Sequence, residues 1–211
     1  MEGAGQRHAL EGNALSLPTH SERRGGLGLI LDVLAQPAAA YRYLAHHSHV
    51  GLALVAYVIA QLPATLAPPW YLDPELGTPA PVGGRDVIGA SIFSLMGLFV
   101  STLLLHGIAW LLGGRNAYGR ILQAQALAAL PLLFTAPFAV LSHGADMPLV
   151  YAAATAATMV WSVVLSVIGV RETYRFSTAR AVAALALAGL ILGMAFLGFA
   201  LLLSVAMLGR V

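Results

Sequence analysis

Five apolar runs, separated by short polar stretches, set the layout of this chain: about residues 49–67, 87–112, 121–142, 148–170 and 180–208. An α-helix rises ~1.5 Å per residue and the hydrocarbon layer is ~30 Å thick, so ~20 apolar residues make one crossing. The pattern predicts an all-α, polytopic membrane protein, a bundle of five transmembrane helices. The fifth run is longer than a crossing needs, at 29 residues or ~43 Å if wholly helical, so it must tilt or emerge. Pro63 in the first run and Pro131 and Pro137 in the third remove helical hydrogen bonds and should bend those spans, with Thr65 and Thr135 placed to offer hydroxyls at the breaks.

Ahead of the first run the pattern changes. Residues 1–26 have no apolar core of a signal peptide and are rich in Gly, Ser and charge, which predicts a flexible cytosolic tail. Residues 27–48 are too polar to span, being interrupted by Asp32, Pro37 and Arg42. Leu27, Ile30, Leu31 and Leu34 fall near one helical face, and Tyr41 and Tyr43 are suited to headgroup depth with Arg42 turned to water. This segment is an interfacial amphipathic helix pair or, alternatively, an ordinary linker; residues 49–211 form the membrane domain. The Pro- and Gly-rich stretch after the first run is an irregular outer loop anchored by Trp70 and Tyr71.

Composition agrees: 59% of the residues are hydrophobic, 9% are charged, and mean hydropathy is +0.81, which excludes an ordinary soluble enzyme. All 11 cationic side chains are arginine, and their placement sets an orientation. Arg7, Arg23, Arg24, Arg42, Arg115, Arg120, Arg171, Arg175 and Arg180 fall on one side of the five-span layout, against Arg85 and Arg210 on the other. Cytoplasmic loops retain Arg and Lys, so the N-terminus should be cytoplasmic and Val211 outside. The wealth of Ala, Gly, Leu and Arg points to GC-rich coding and to a bacterial cytoplasmic membrane. A net charge of +2 over separate loops is no footprint for nucleic acid.

Candidate chemistry is sparse. Without cysteine there are no disulfides, thiolate nucleophiles or Fe–S ligands. HExxH, GxxxxGK[ST], a Gly-x-Ser-Gly nucleophile and paired membrane aspartates are all missing, so neither a catalytic residue nor a cofactor or metal site is assigned. His106 is the one ionisable residue placed deep in a span, where it serves as an interhelical tie or as a ligand or proton-relay group. His46 and His49 would share a helix face at i, i+3, within reach of a metal only if another helix supplied ligands. Arg171, Glu172, Tyr174, Arg175, Ser177 and Thr178 make the most polar cytosolic loop, a candidate docking surface in which Ser177 or Thr178 caps the fifth helix. Gly189 and Gly193 form a GxxxG spacing for close helix packing, either inside the bundle or in a homo-oligomer.

Two stretches, LLLHGIAWLLGGRNAYGRILQAQALAALPLL at 103–133 and WSVVLSVIGVRETYRFSTARAVAALAL at 161–187, together resemble the Yip1 family of five-span membrane proteins. The resemblance lies in His106, Gly113, Gly114, Tyr118, Pro131, Gly169, Arg171, Glu172, Ser177, Thr178, Arg180 and Ala181, and in the upstream Pro-aromatic segment AQPAAAYRYL. It implies five helices and a cytosolic N-terminus. In eukaryotic members it also implies membrane traffic and the binding of prenylated small GTPases; the fold and class are carried over here, the GTPase partner is not. The expected role is a non-enzymatic scaffold or adaptor that binds other membrane proteins or organises lipid. The alternatives are a small transporter or channel built on the bent first and third helices with His106, and an accessory subunit of a larger membrane complex.

Overall fold

The computed structural model describes residues 26–66, 83–145 and 148–208, and these are helical apart from short turns. Residues 1–25 of the proposed tail, the loop bearing Trp70 and Tyr71, Asp146 and the C-terminal Arg210 lie outside the described residues, whereas Gly26, the last residue assigned to the tail, begins a helix. We label the helices α1 Gly26–Ala35, α2 Pro37–Leu44, α3 Val50–Leu66, α4 Gly84–Leu111, α5 Tyr118–Ala128, α6 Thr135–Ala145, α7 Pro148–Tyr174 and α8 Thr178–Leu208. A 3-10 turn, Leu130–Phe134, joins α5 to α6.

Four helical stretches are long and apolar enough to cross a bilayer: α4, the composite α5–α6, α7 and α8. They coincide with the second to fifth predicted runs. Along α4, α7 and α8 large apolar side chains face outward, Phe93, Met96, Leu103, Val160, Met194 and Phe196 among them. Helices apolar on every side need an apolar surrounding, which lipid supplies. The first predicted run forms α3, whose 17 residues reach ~26 Å, at the short limit for a crossing. Helix α3 buries Ala53, Ala56, Tyr57 and Ala60 and leaves Val55 and Ile59 exposed. It is tied to α4 by Ser94, whose hydroxyl donates to Tyr57 Oη at 2.9 Å.

The third run differs in kind from the others. Ile121, Leu122, Gln123, Ala124, Ala126, Leu127, Ala128, Leu130 and Pro131 are all buried, and α5 packs against α3, α4 and α7. Its alanines let neighbours come close, and Gln123 belongs inside protein, where a polar side chain can find partners that lipid cannot offer. The break falls where proline predicted it. Pro131 opens the 3-10 turn, and Thr135 Oγ1 donates to the carbonyl of Leu132 at 2.7 Å. Pro63 sits inside α3, and Thr65 Oγ1 donates to Gln61 O at 3.1 Å. Both hydroxyls raised as possible site groups thus serve backbone carbonyls in their own helical turns.

Residues 27–48 form two helices folded against the bundle. Leu29 and Val33 of α1 and Ala40, Tyr41 and Leu44 of α2 are buried, while Leu27 and Leu31 are exposed. The expectation that Tyr41 anchors at headgroup depth is corrected: its ring is fully buried, with Cε1 lying 3.5 Å from where a Cβ on Gly169 would stand. The tightest approach at that glycine is to α5: a Cβ there would lie 3.3 Å from Ala124 Cβ, so Gly169 sits where α2, α5 and α7 meet, a packing invisible from any one segment alone. Arg42 does turn outward, as expected. Burial pushes the pKa of the Tyr41 hydroxyl upward, and that hydroxyl has no hydrogen-bond partner among the described residues. An unpaired buried hydroxyl is costly. Tyr41→Phe should therefore leave stability unchanged or raise it by about 1 kcal/mol, whereas Tyr41→Ala should cost about 3–5 kcal/mol; denaturant titration of the purified protein in mild detergent reads both.

The connection from α2 to α3 is held chiefly by Gln123, with Arg120 Nη1 also donating to Leu44 O at 3.3 Å. Gln123 of α5 is wholly buried; its Nε2 donates to Leu44 O at 2.5 Å and His47 O at 3.0 Å, and its Oε1 accepts from the His49 backbone N–H at 2.8 Å. Helix ends leave such groups unpaired, and the amide supplies the missing donor and acceptor together.

Candidate functional site

The ends of α4 and α7 and the starts of α5 and α8 meet at one end of the bundle, and most of the singled-out residues gather there. His106 lies about a turn and a half before Leu111 at the end of α4. The half-buried imidazole has Nδ1 2.6 Å from Tyr174 Oη. The edge of the Tyr118 ring meets it with centroids 5.8 Å apart, and Tyr118 Oη donates to Phe99 O at 3.0 Å. Tyr174 stacks in turn on Phe176 at 5.5 Å. The membrane histidine and the polar loop, two separate candidates in the sequence, form one aromatic–imidazole cluster that ties α4 to α7.

The two helices stop in the same way. Gly113, at φ 87°, lets the N–H of Gly114 reach back to Ala109 O at 2.8 Å. Arg175, at φ 56°, lets Phe176 N–H reach Arg171 O at 3.0 Å. These left-handed closures pair orphan carbonyls at a helix end and usually employ glycine. An arginine there costs about 1–2 kcal/mol. Gly114 itself is buried, and a Cβ on it would fall 2.7 Å from Phe176 Cζ, 2.8 Å from Tyr174 Cδ1 and 2.9 Å from Ala109 O. Asn116 Nδ2 donates to Thr173 O at 2.7 Å, fastening the α4–α5 turn to the end of α7. Glycines 113 and 114 thus make a tight turn whose second member lets the two loops touch.

Glu172 is shared by two cations. Arg171 donates to its Oε1 at 2.6 and 3.1 Å, and Arg42 Nε lies 3.3 Å from Oε2. Because the Arg42 side chain is 68% exposed, its ion pair adds little to stability. Ser177 rather than Thr178 takes the capping position, its Oγ accepting the Arg180 N–H in a long 3.4 Å contact. Ser177, Thr178 and Arg180 are exposed.

Other candidates separate. The i, i+3 relation of His46 and His49 fails, since α2 ends at Leu44 and α3 begins at Val50, leaving the histidines in a turn. His47 stacks on Tyr43 at 4.1 Å, and its Nδ1 lies 3.0 Å from Tyr43 O. Among the described residues no three His, Asp or Glu side chains gather as a metal ligand set. Gly189 and Gly193 meet no other helix among the described residues: apart from the backbone of α8 itself and the adjoining residues, nothing lies within 4 Å of a Cβ placed on either. Ala181, Ala184 and Ala188 form the buried face of α8 instead, because the small-residue spacing exists on two faces and only one is turned inward. Sequence reasoning missed Gln123, Asn116 and Phe176; two glutamines in an otherwise apolar span were the available signal for the first.

The lipid-compatible exterior, the four long apolar helices and the polar end that joins their turns define a multi-pass, all-helical membrane protein. The Yip1 domain model matches residues 31–201, most of the chain, and the protein belongs to the Yip1 family. No curated protein and no solved structure matches it. The motif positions scattered through the sequence are neighbours in space: Tyr41 against Gly169, Arg42 with Glu172, and His106 with Tyr118 and the Gly114 turn.

Proposed function

We propose that this Yip1-family protein is a non-enzymatic membrane scaffold or adaptor, and that its arginine-rich end is the docking surface. One observation carries the reading: the turn at 112–117 is fastened to the end of α7 by Asn116 and packs at Gly114 against Tyr174 and Phe176, so exposed Ser177, Thr178 and Arg180 follow a well-held segment. A polar surface held by buried contacts rather than by its own charges is suited to recognition. In this proposal the surface faces the cytoplasm of a bacterial cell, α3 completes a fifth crossing, and Val211 lies outside.

Two measurements test it. Reporters active on one side of the membrane, fused at either terminus, should report opposite sides; the same side would remove α3 as a crossing. A photo-crosslinker at Ser177 should capture a defined membrane protein in native membranes, and the same crosslinker at lipid-facing Phe93 should not. Recovery of the same proteins from both positions would overturn the adaptor role.

A further inference from the structure

Beside the His106–Tyr174 cluster is a recess of about 260 Å³, walled by His46 from the α2–α3 turn, Arg115 and Asn116 from the α4–α5 turn, and Glu172 and Arg175 at the end of α7. Its charges do not balance. The only carboxylate in its wall, Glu172, is engaged by Arg42 and Arg171, leaving Arg115 and Arg175 without a carboxylate partner among the described residues. Arginine forks match phosphate oxygens, and two unpaired forks bordering one small recess form an anion site. The left-handed turn places Arg175 in that wall where glycine would be the easier residue.

The setting selects the source of the anion. The last turn of α4, just before the loop that bears Arg115, exposes Trp110, a side chain at home at the bilayer boundary, beside exposed Leu111. An apolar groove of about 680 Å³ runs along α4 and α8 and ends at those same two residues. We propose that the recess binds the phosphate of an anionic phospholipid headgroup, Arg115 and Arg175 holding its oxygens. The site goes beyond the adaptor reading; it rests on the membrane placement of this end and needs no protein partner.

The test uses the purified full-length chain in bilayer discs of phosphatidylcholine doped with a minority of phosphatidylglycerol, with retained lipids counted by native mass spectrometry. Wild type should retain phosphatidylglycerol in preference to phosphatidylcholine. Arg115→Gln and Arg175→Asn should each lower that preference about fivefold and together about 25-fold, as for basic groups at an anionic surface. Asparagine tolerates the left-handed backbone, so the second change removes the charge without the turn. Arg85→Gln, in the first turn of α4 at its opposite end, should change nothing. Undiminished preference in the double variant would overturn the proposal, as would loss of the bound lipid to millimolar inorganic phosphate. No other protein is present, so this outcome is separate from failure to capture a partner in native membranes.

Discussion

Gln123→Leu is expected to lower stability by about 3 kcal/mol, counting the His49 N–H and His47 carbonyl left without partners at about 1–2 kcal/mol each. The substitution keeps nearly the same bulk, so the loss is one of hydrogen bonding rather than packing. The Leu44 carbonyl is the least affected, since Arg120 also donates to it at 3.3 Å. Because the three lost bonds hold the α2–α3 turn, the variant should also show faster proteolysis between His46 and Val50. Gln125→Leu is the control. Its Nε2 is buried with no partner among the described residues, so this change should be neutral or stabilising. Equal destabilisation by both glutamine changes, measured by denaturant titration in detergent, would refute the account of the turn.

The second large effect is expected at Gly114. Alanine there meets two aromatic rings and a carbonyl oxygen, all closer than 3.0 Å. The rings can yield slightly, but Ala109 O belongs to the end of α4 and accepts the bond that closes it. We expect a loss of about 2–3 kcal/mol, in the upper part of the overpacking range, together with separation of the turns at 112–117 and 175–177. Gly113→Ala is the informative comparison, because a Cβ there meets nothing within 4 Å and the penalty is only its φ of 87°. That strain is about 1 kcal/mol. Spin labels at Arg115 and Arg175 would follow the separation as a change in the distance between them, and an unchanged distance in Gly114→Ala would dismiss the steric argument.

The spans were legible because each is a local property. Four predicted runs meet helices within a few residues of the expected bounds, and the proline signal in the third marks an actual break at Leu130–Phe134. The first run was legible as a helix but marginal as a crossing. At the candidate site, the residue types in the loop at 171–178 were recognisable, yet the bond between Tyr174 and His106 spans 68 positions. No periodicity reports on that separation.

Chain composition alone determined that this protein partitions into lipid as several helices and that its arginines collect between particular spans, since both follow from the transfer free energy of one segment at a time. Tertiary structure decided the rest. It made the third span the axis of the bundle, where Gln123 finds partners, turned the Ala face of α8 inward and its Gly face outward, and buried the Tyr41 ring beside Gly169. Those outcomes depend on shape complementarity and hydrogen-bond pairing between segments remote in sequence, and neither exists until the helices are side by side.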